Sequence, residues 1–173
     1  SVDDAALFTN STLALRPETG ELAWHFQHVP GETIDMEVGF ERILADIDGI
    51  PILLTVGKDG ILWKLNRETG EYIDLLDTMS QTIFAVDRDT GTLSYREDIA
   101  RAGIGDTYTA CPGIYGGHNW QSATYDASRH LVFLPVLQLC SDMTPREVDL
   151  GPGGGGYGAD VATYPCLLYT SDS

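Results

Sequence analysis

The chain has 173 residues, with 26 Asp and Glu against 10 Lys and Arg, a formal charge of −16 at neutral pH. Such an acidic surplus argues against nucleic-acid or anionic-membrane partners, because phosphate binding needs a basic stripe that displaces counterions. An apolar share of 43% with 9% aromatic residues suffices for a packed core and argues against wholesale disorder.

No apolar run reaches the roughly 18 residues a membrane helix needs. The chain opens at Ser1 without an initiator Met and without a charged, apolar and small-residue leader, so the expectation is a piece of a longer protein. From the N-terminus, the first feature is Ala14 to Trp24, in which apolar residues flank the polar turn Pro17-Glu-Thr-Gly20. It returns at Leu65 to Tyr72 and at Ala85 to Tyr95, and a degenerate fourth copy runs from Ala123 to Phe133. Gly20, Gly70 and Gly91 stand where a hairpin loop needs positive φ, so each copy is predicted to be a β-hairpin.

Between the first two copies, Ile34 to Leu44 could form a turn or two of helix, with Phe40, Ile43 and Leu44 on one side. Ile50 to Val56 and Gly60 to Leu65 are short β-branched runs bounded by glycine and are predicted strands, as is Leu131 to Val136. Pro145 to Ala162 holds the run Gly151-Pro-Gly-Gly-Gly-Gly156, read as a flexible surface excursion without regular structure. Short strands with repeated turns of one type point to an all-β architecture built by radial repetition. A propeller blade takes roughly 40–45 residues, so the chain carries about four blades of a larger ring.

The repeat Ala-x-x-x-x-Thr-Gly-x-x-x-Trp, complete at Ala14 to Trp24, resembles the tryptophan-docking motif of the quinoprotein dehydrogenases, which use pyrroloquinoline quinone (PQQ). In that family the motif Trp packs between blades of an eight-bladed propeller. Asp74 and Tyr95 occupy its position in the next copies. Three further segments carry the resemblance in the family's order. Pro30 to Val38 resembles the stretch with the catalytic Asp, here Asp35. Val56 to Arg67 resembles the stretch whose basic residue reaches the quinone oxygens, here Lys58. Cys111 to Trp120 resembles the segment whose Asn touches the cofactor, here Asn119, with Trp120 beside it. The resemblance covers about Leu7 to Pro145. It implies residues 1–145 as an incomplete propeller, 146–165 as a Gly-rich loop and 166–173 as a non-native tail. Cys166 to Ser173 resembles translated adapter sequence; the other reading is an irregular C-terminus.

The implied chemistry is oxidation of an alcohol to an aldehyde or ketone. A carboxylate base must take the hydroxyl proton as hydride leaves carbon for the quinone C5. Asp35 has that role by resemblance, and Lys58 adds positive charge where the reduced quinone becomes negative. A hard cation on carboxylate oxygens would polarise the quinone as a Lewis acid, with Asp35 and Glu37 as its ligands in this chain. Calcium-using members carry a small residue at the position of Glu37 and lanthanide-using ones a second acid, usually Asp. Glu leaves both Ca2+ and a lanthanide ion open.

Each candidate has a plainer reading. Asp35 and Glu37 could be solvated charges of an acidic surface, Lys58 a hairpin-tip residue, and Asn119 a residue tolerating a left-handed turn after Gly116-Gly117. Trp120 is better suited to core packing than to direct cofactor contact. His25, His28, His118 and His130 show no paired metal spacing and are read as structural. Cys111 and Cys140 match a pair that is disulfide-bonded in some relatives, which implies an oxidising compartment, the periplasm; two buried thiols are the alternative. The implied partners are a small alcohol and a cytochrome c or other electron acceptor. The fragment by itself is expected to be inactive. The competing function is a non-catalytic propeller scaffold of the outer-membrane assembly lipoprotein type, which has no need of Asp35, Lys58 and Asn119 together.

Overall fold

A computed structural model describes residues 4–149, 151–152 and 157–166. The strands are β1 (Ser11–Leu15), β2 (Leu22–Gln27), β3 (Ile43–Ile47), β4 (Ile50–Val56), β5 (Ile61–Asn66), β6 (Tyr72–Asp77), β7 (Phe84–Asp87) and β8 (Thr92–Tyr95). A five-residue helix, α1 (Glu97–Arg101), precedes β9 (Tyr108–Ala110), β10 (Thr124–Asp126), β11 (Leu131–Phe133), β12 (Leu139–Pro145) and β13 (Ala159–Pro165). All pairings are antiparallel between neighbours in sequence except β9 with β12. The result is a four-stranded sheet β3-β4-β5-β6, a three-stranded sheet β13-β12-β9, and the hairpins β1-β2, β7-β8 and β10-β11. This is the all-β propeller class that the repeats predict.

All four predicted hairpins form, and for a local reason. Gly20, Gly70 and Gly91 have φ of +74°, +76° and +72°, which only Gly adopts freely. In the second copy the Asn66 side chain accepts the N–H groups of Glu68 and Thr69, and Asp87 does the same for Asp89 and Thr90. In the fourth copy His130 takes the left-handed position, at φ +53°, and its Nδ1 pairs with the Tyr125 hydroxyl at 2.8 Å.

The repeats also dock on one another. The Trp24 ring lies against Gly70 so closely that a Cβ there would be 2.5 Å from it, and Trp24 Nε1 donates to the Arg67 carbonyl at 3.2 Å. In the next copy Tyr72 does this work. Its ring covers Gly91, and its hydroxyl donates to the Arg88 carbonyl at 2.9 Å. The sequence pattern pointed to Asp74 at this place. Tyr72 substitutes because residues two apart on a strand share a face. Gly70→Ala is therefore expected to destabilise the chain by about 2–4 kcal/mol, from left-handed strain plus overpacking. Gly20→Ala, at a similar φ with nothing within 4 Å of the new Cβ, should cost only the strain, about 1–2 kcal/mol. Urea midpoints of the two variants check the difference.

The core lies between the sheets. On β5, Ile61, Trp63 and Leu65 are fully buried and alternate with half-buried neighbours. Met36, Val38, Ile83 and Met143 join them.

Three expectations are corrected. Ile34 to Leu44 is not helical. Gly31 (φ +61°) and Asp35 (φ +70°) break the backbone, and the segment then runs into β3. The strand expected from Leu131 to Val136 stops at Phe133, ahead of Pro135, which cannot donate to a ladder. The excursion ends earlier than expected, because β13 pairs along its whole length with β12 once the glycines give way to Ala159-Asp-Val-Ala-Thr. Residues 153–156 of the Gly run and 167–173 of the proposed tail lie outside the described residues. Cys166 is inside them, its N–H bonded to the Gln138 carbonyl at 2.9 Å.

Candidate functional site

The site is built on the stretch 35–38. Glu32 shapes its start, because its Oε1 accepts the N–H groups of Ile34 at 2.6 Å and Met36 at 2.9 Å. That closes a tight turn and holds Asp35 in the left-handed region. Beyond it, Asn10 grips the backbone from one side, its Nδ2 donating to the Met36 carbonyl and its Oδ1 accepting the Val38 N–H at 2.7 Å. Gly57 closes from the other side. A Cβ there would lie 2.5 Å from the Val38 Cα, so only Gly admits the approach, and the next N–H, of Lys58, reaches the Glu37 carbonyl at 3.0 Å. Met36 and Val38 consequently point into the core, which leaves Glu37 on the opposite face.

There Asp35 and Glu37 converge on Lys58, whose Nζ is 2.6 Å from Asp35 Oδ2 and 2.8 Å from Glu37 Oε1. Tyr157 donates its hydroxyl to the same Asp35 Oδ2. Among the described residues, no hydrogen bond falls on Asp35 Oδ1. Partial burial alone would raise the Asp35 carboxyl, but the hydrogen bonds from Lys58 and Tyr157 and the ammonium charge outweigh it and hold the carboxyl below its usual range. Burial works to lower Lys58, and its two carboxylate partners overcome that and raise it. Glu32 shifts the other way, upward, chiefly by burial against the opposing help of its two backbone donors.

These shifts give a signed prediction. A depressed Asp35 contributes stability above the ordinary carboxylate range that is lost as pH falls through its folded value. In Lys58→Met the ammonium is gone and only the Tyr157 hydroxyl bond remains to favour the ionised carboxyl, so Asp35 moves back upward and its contribution to the rise of stability with pH shrinks. Urea titrations between pH 3 and 6 should show a shallower slope in the variant than in the parent chain. The effect is modest, since the Asp35 side chain is 40% exposed and screened by solvent.

The segment 111–120 is pressed onto Lys58 from behind. Gly116 sits where a Cβ would be 2.5 Å from the Lys58 Cα, and the Gly117 N–H donates to the Lys58 carbonyl at 3.0 Å. Cys111 and Cys140 form a disulfide with Cα atoms 4.4 Å apart, and the Gly113 N–H bonds the Leu139 carbonyl at 2.7 Å; together they fasten this segment to β12. Among the described residues, Asn119 makes only local bonds, to the Tyr115 carbonyl and from the Trp120 N–H, each 2.9 Å. Trp120 is 85% exposed, which corrects the core-packing reading. His118 is buried, with Nδ1 2.8 Å from the Pro135 carbonyl oxygen, and His28 is buried against Phe26 and Trp63.

Asp35, Glu37 and Lys58 are thus brought together, and Asn119 and Trp120 lie on the segment docked against Lys58. Sequence reasoning missed Glu32 and Tyr157. Glu32 carries no pattern that marks it, because its side chain closes a turn outside any helix. Tyr157 carries no local signal. It missed Asp59 as well, which is fully buried and pushed up to about 7 by that burial, against bonds from Trp63 Nε1 at 2.7 Å and the Ile61 N–H. Asp59→Asn would turn an amide donor towards one of these donors. It is expected to cost about 1–3 kcal/mol, readable as a lower urea midpoint.

Residues 2–79 match the family model for the β-propeller domain of glucose/ethanol/alcohol dehydrogenases, designated PQQ. The quinohemoprotein alcohol dehydrogenase ADH-IIG of Pseudomonas putida is 32% identical over 136 residues, 75% of this chain and 19% of that protein. The chain belongs to the PQQ-dependent alcohol and methanol dehydrogenase family. Among other members of the family, the lanthanide-dependent methanol dehydrogenase of Methylorubrum extorquens is 28% identical over 172 residues, covering 88% of this chain and 28% of its own. The crystal structure of the quinohemoprotein alcohol dehydrogenase of Comamonas testosteroni superposes with a TM-score of 0.74 at 29% identity, over 82% of this chain and 21% of that one. A europium-containing methanol dehydrogenase shares the fold, with a TM-score of 0.84 over 95% of this chain and 30% of that one. The chain spans less than a third of these quinoproteins.

Proposed function

We propose that this chain supplies the proton-accepting and quinone-side groups of a PQQ-dependent dehydrogenase that oxidises an alcohol to an aldehyde or ketone. The convergence of Asp35 and Glu37 on Lys58 carries this reading. Two carboxylates that close within 2.8 Å of one cationic nitrogen are spaced to share a single positive centre. An all-oxygen anionic donor pair also suits a hard cation, Ca2+ or a lanthanide ion. The residues therefore fit the family's cofactors: Asp35 and Glu37 would hold the metal ion, and Lys58 would supply positive charge beside it. When bound, the PQQ and its metal ion supply the hydride acceptor and a Lewis acid.

What the chain's own residues do follows from their bonds. Asp35 is held ionised by Lys58 and Tyr157, and both bonds fall on Oδ2, so Oδ1 is the oxygen placed to take the alcohol's hydroxyl proton. Glu32 keeps that carboxylate oriented through the backbone. Lys58 holds Asp35 and Glu37 in one geometry and contributes positive charge beside them. Asn119 and Trp120, on the segment the disulfide fastens, border the cofactor side. The disulfide supports an oxidising compartment, the periplasm, and electrons would leave for a cytochrome c or another acceptor. The test is reconstitution of the protein carrying this chain with PQQ and either Ca2+ or a light lanthanide, followed by dye-linked alcohol oxidation. Failure of both ions to give turnover would remove the reading.

A further inference from the structure

The turn that joins β4 to β5, Gly57-Lys58-Asp59-Gly60, carries only two side chains beyond hydrogen. They leave it in different directions. The Lys58 ammonium reaches Asp35 and Glu37 at 2.6 and 2.8 Å, whereas Asp59 turns into the core and is fully buried. There its Oδ2 accepts the Trp63 indole N–H at 2.7 Å and its Oδ1 accepts the Ile61 N–H at 3.2 Å. Trp63 is itself fully buried, packed against Phe26 and His28, so the anchor belongs to the close-packed core. We propose that Asp59 is a positioning residue for the site: held by Trp63 and Ile61, it fixes the turn on β5 and thereby aims the Lys58 ammonium at Asp35 and Glu37.

The backbone of this turn does not fix itself. Gly57 and Gly60 flank the Lys58-Asp59 pair without a Cβ, and Gly60 stands at φ +72°, so the chain on both sides is permissive. The Lys58 N–H bonds the Glu37 carbonyl and the Gly117 N–H bonds the Lys58 carbonyl, each at 3.0 Å. Both bonds tie the turn to other loops. The Asp59 side chain ties it to β5, the strand it leads into. Burial has a cost that points the same way. Asp59 has no cation among the groups that shift it, and a buried carboxyl without one is expensive. An apolar side chain of that volume would stabilise a core at least as well, whereas two directional bonds select a single orientation. The inference deepens the site reading, since it bears on catalysis through Lys58, but the positioning itself is a property of the bare chain.

The test uses the full 173-residue chain labelled with 15N-lysine and reads the proton-exchange rate of the Lys58 ammonium by NMR. That exchange is slow while the group is bonded to two carboxylates and fast once it swings into water. Asp59→Ala is expected to speed it at least about tenfold, the factor for losing one hydrogen bond to a charged group. Asp59→Asn keeps one acceptor and should fall between Asp59→Ala and the parent. Trp63→Phe removes the indole donor, keeps a ring in the core and should also speed exchange. Ile83→Val is the control, because it leaves a small gap in the same core; it should lower the urea midpoint and leave Lys58 exchange as it was. Unaltered exchange in folded Asp59→Ala, or equal acceleration in Ile83→Val, would overturn the proposal. Should Asp59→Ala fail to fold, Asp59→Asn and Trp63→Phe decide by the same reading. In the PQQ-loaded protein carrying this chain, Asp59→Ala should lower kcat about tenfold or more. Turnover kept while Lys58 is freed would remove Lys58 from the proposed chemistry and leave the positioning standing. Turnover lost with Lys58 exchange unchanged would overturn the positioning alone.

Discussion

Asp35→Asn is expected to lower kcat of the PQQ-loaded protein by about 10²–10⁴-fold, the range over which a positioned base contributes. Asn keeps the shape and one oxygen for the Lys58 ammonium, so the left-handed turn set by Glu32 should persist and the urea midpoint should move little. Metal binding should weaken as one anionic ligand is lost. Glu37→Gln separates the two roles, because it removes a metal-side charge and leaves the base. It should raise the metal concentration needed for activity and restore turnover at saturation. Undiminished kcat in Asp35→Asn with retained folding would show that another group takes the proton.

Removing the disulfide is expected to cost about 3–4 kcal/mol for a loop closed over a 29-residue separation. The comparison is best made as Cys111→Ser with Cys140→Ser. The Cys166 thiol lies within 4.8 Å of the paired sulfurs, so a single replacement would leave two cysteines able to pair. The loss should also reach the site. The 111–120 segment is fastened at Cys111 and Gly113 and presses on Lys58 through Gly116 and Gly117. Hydrogen exchange at the Gly117 amide, bonded to the Lys58 carbonyl, should therefore accelerate along with the drop in unfolding free energy. Protection there unchanged in the double variant would mean that the Gly113 and Gly117 bonds hold the segment without the sulfur bridge.

The hairpins were legible because everything that makes them lies within a few residues. Positive φ at Gly20, Gly70 and Gly91 and the Asn66 and Asp87 side-chain caps are local choices. The docking aromatic was legible at Trp24 and misplaced in the next copy. The pattern marked Asp74, while Tyr72 on the same strand face reaches Gly91, and which of two same-face residues touches a neighbour is decided by that neighbour. Asp35, Glu37, Lys58 and the cysteine pair were legible only through resemblance, since nothing local distinguishes these charges from a solvated acidic surface. Trp120 looked like core by residue type, yet it is 85% exposed.

By itself, then, the sequence determined the repeat and the turns, both written within stretches of about ten positions, and it named the candidate residues only through resemblance. Only the tertiary structure decided that Lys58 meets an acid 23 residues away and that Tyr157 closes on it from 122 residues away. Those meetings depend on Gly57 lying against Val38 and on β13 returning to β12, close approaches that packing of the whole chain selects and no local propensity encodes.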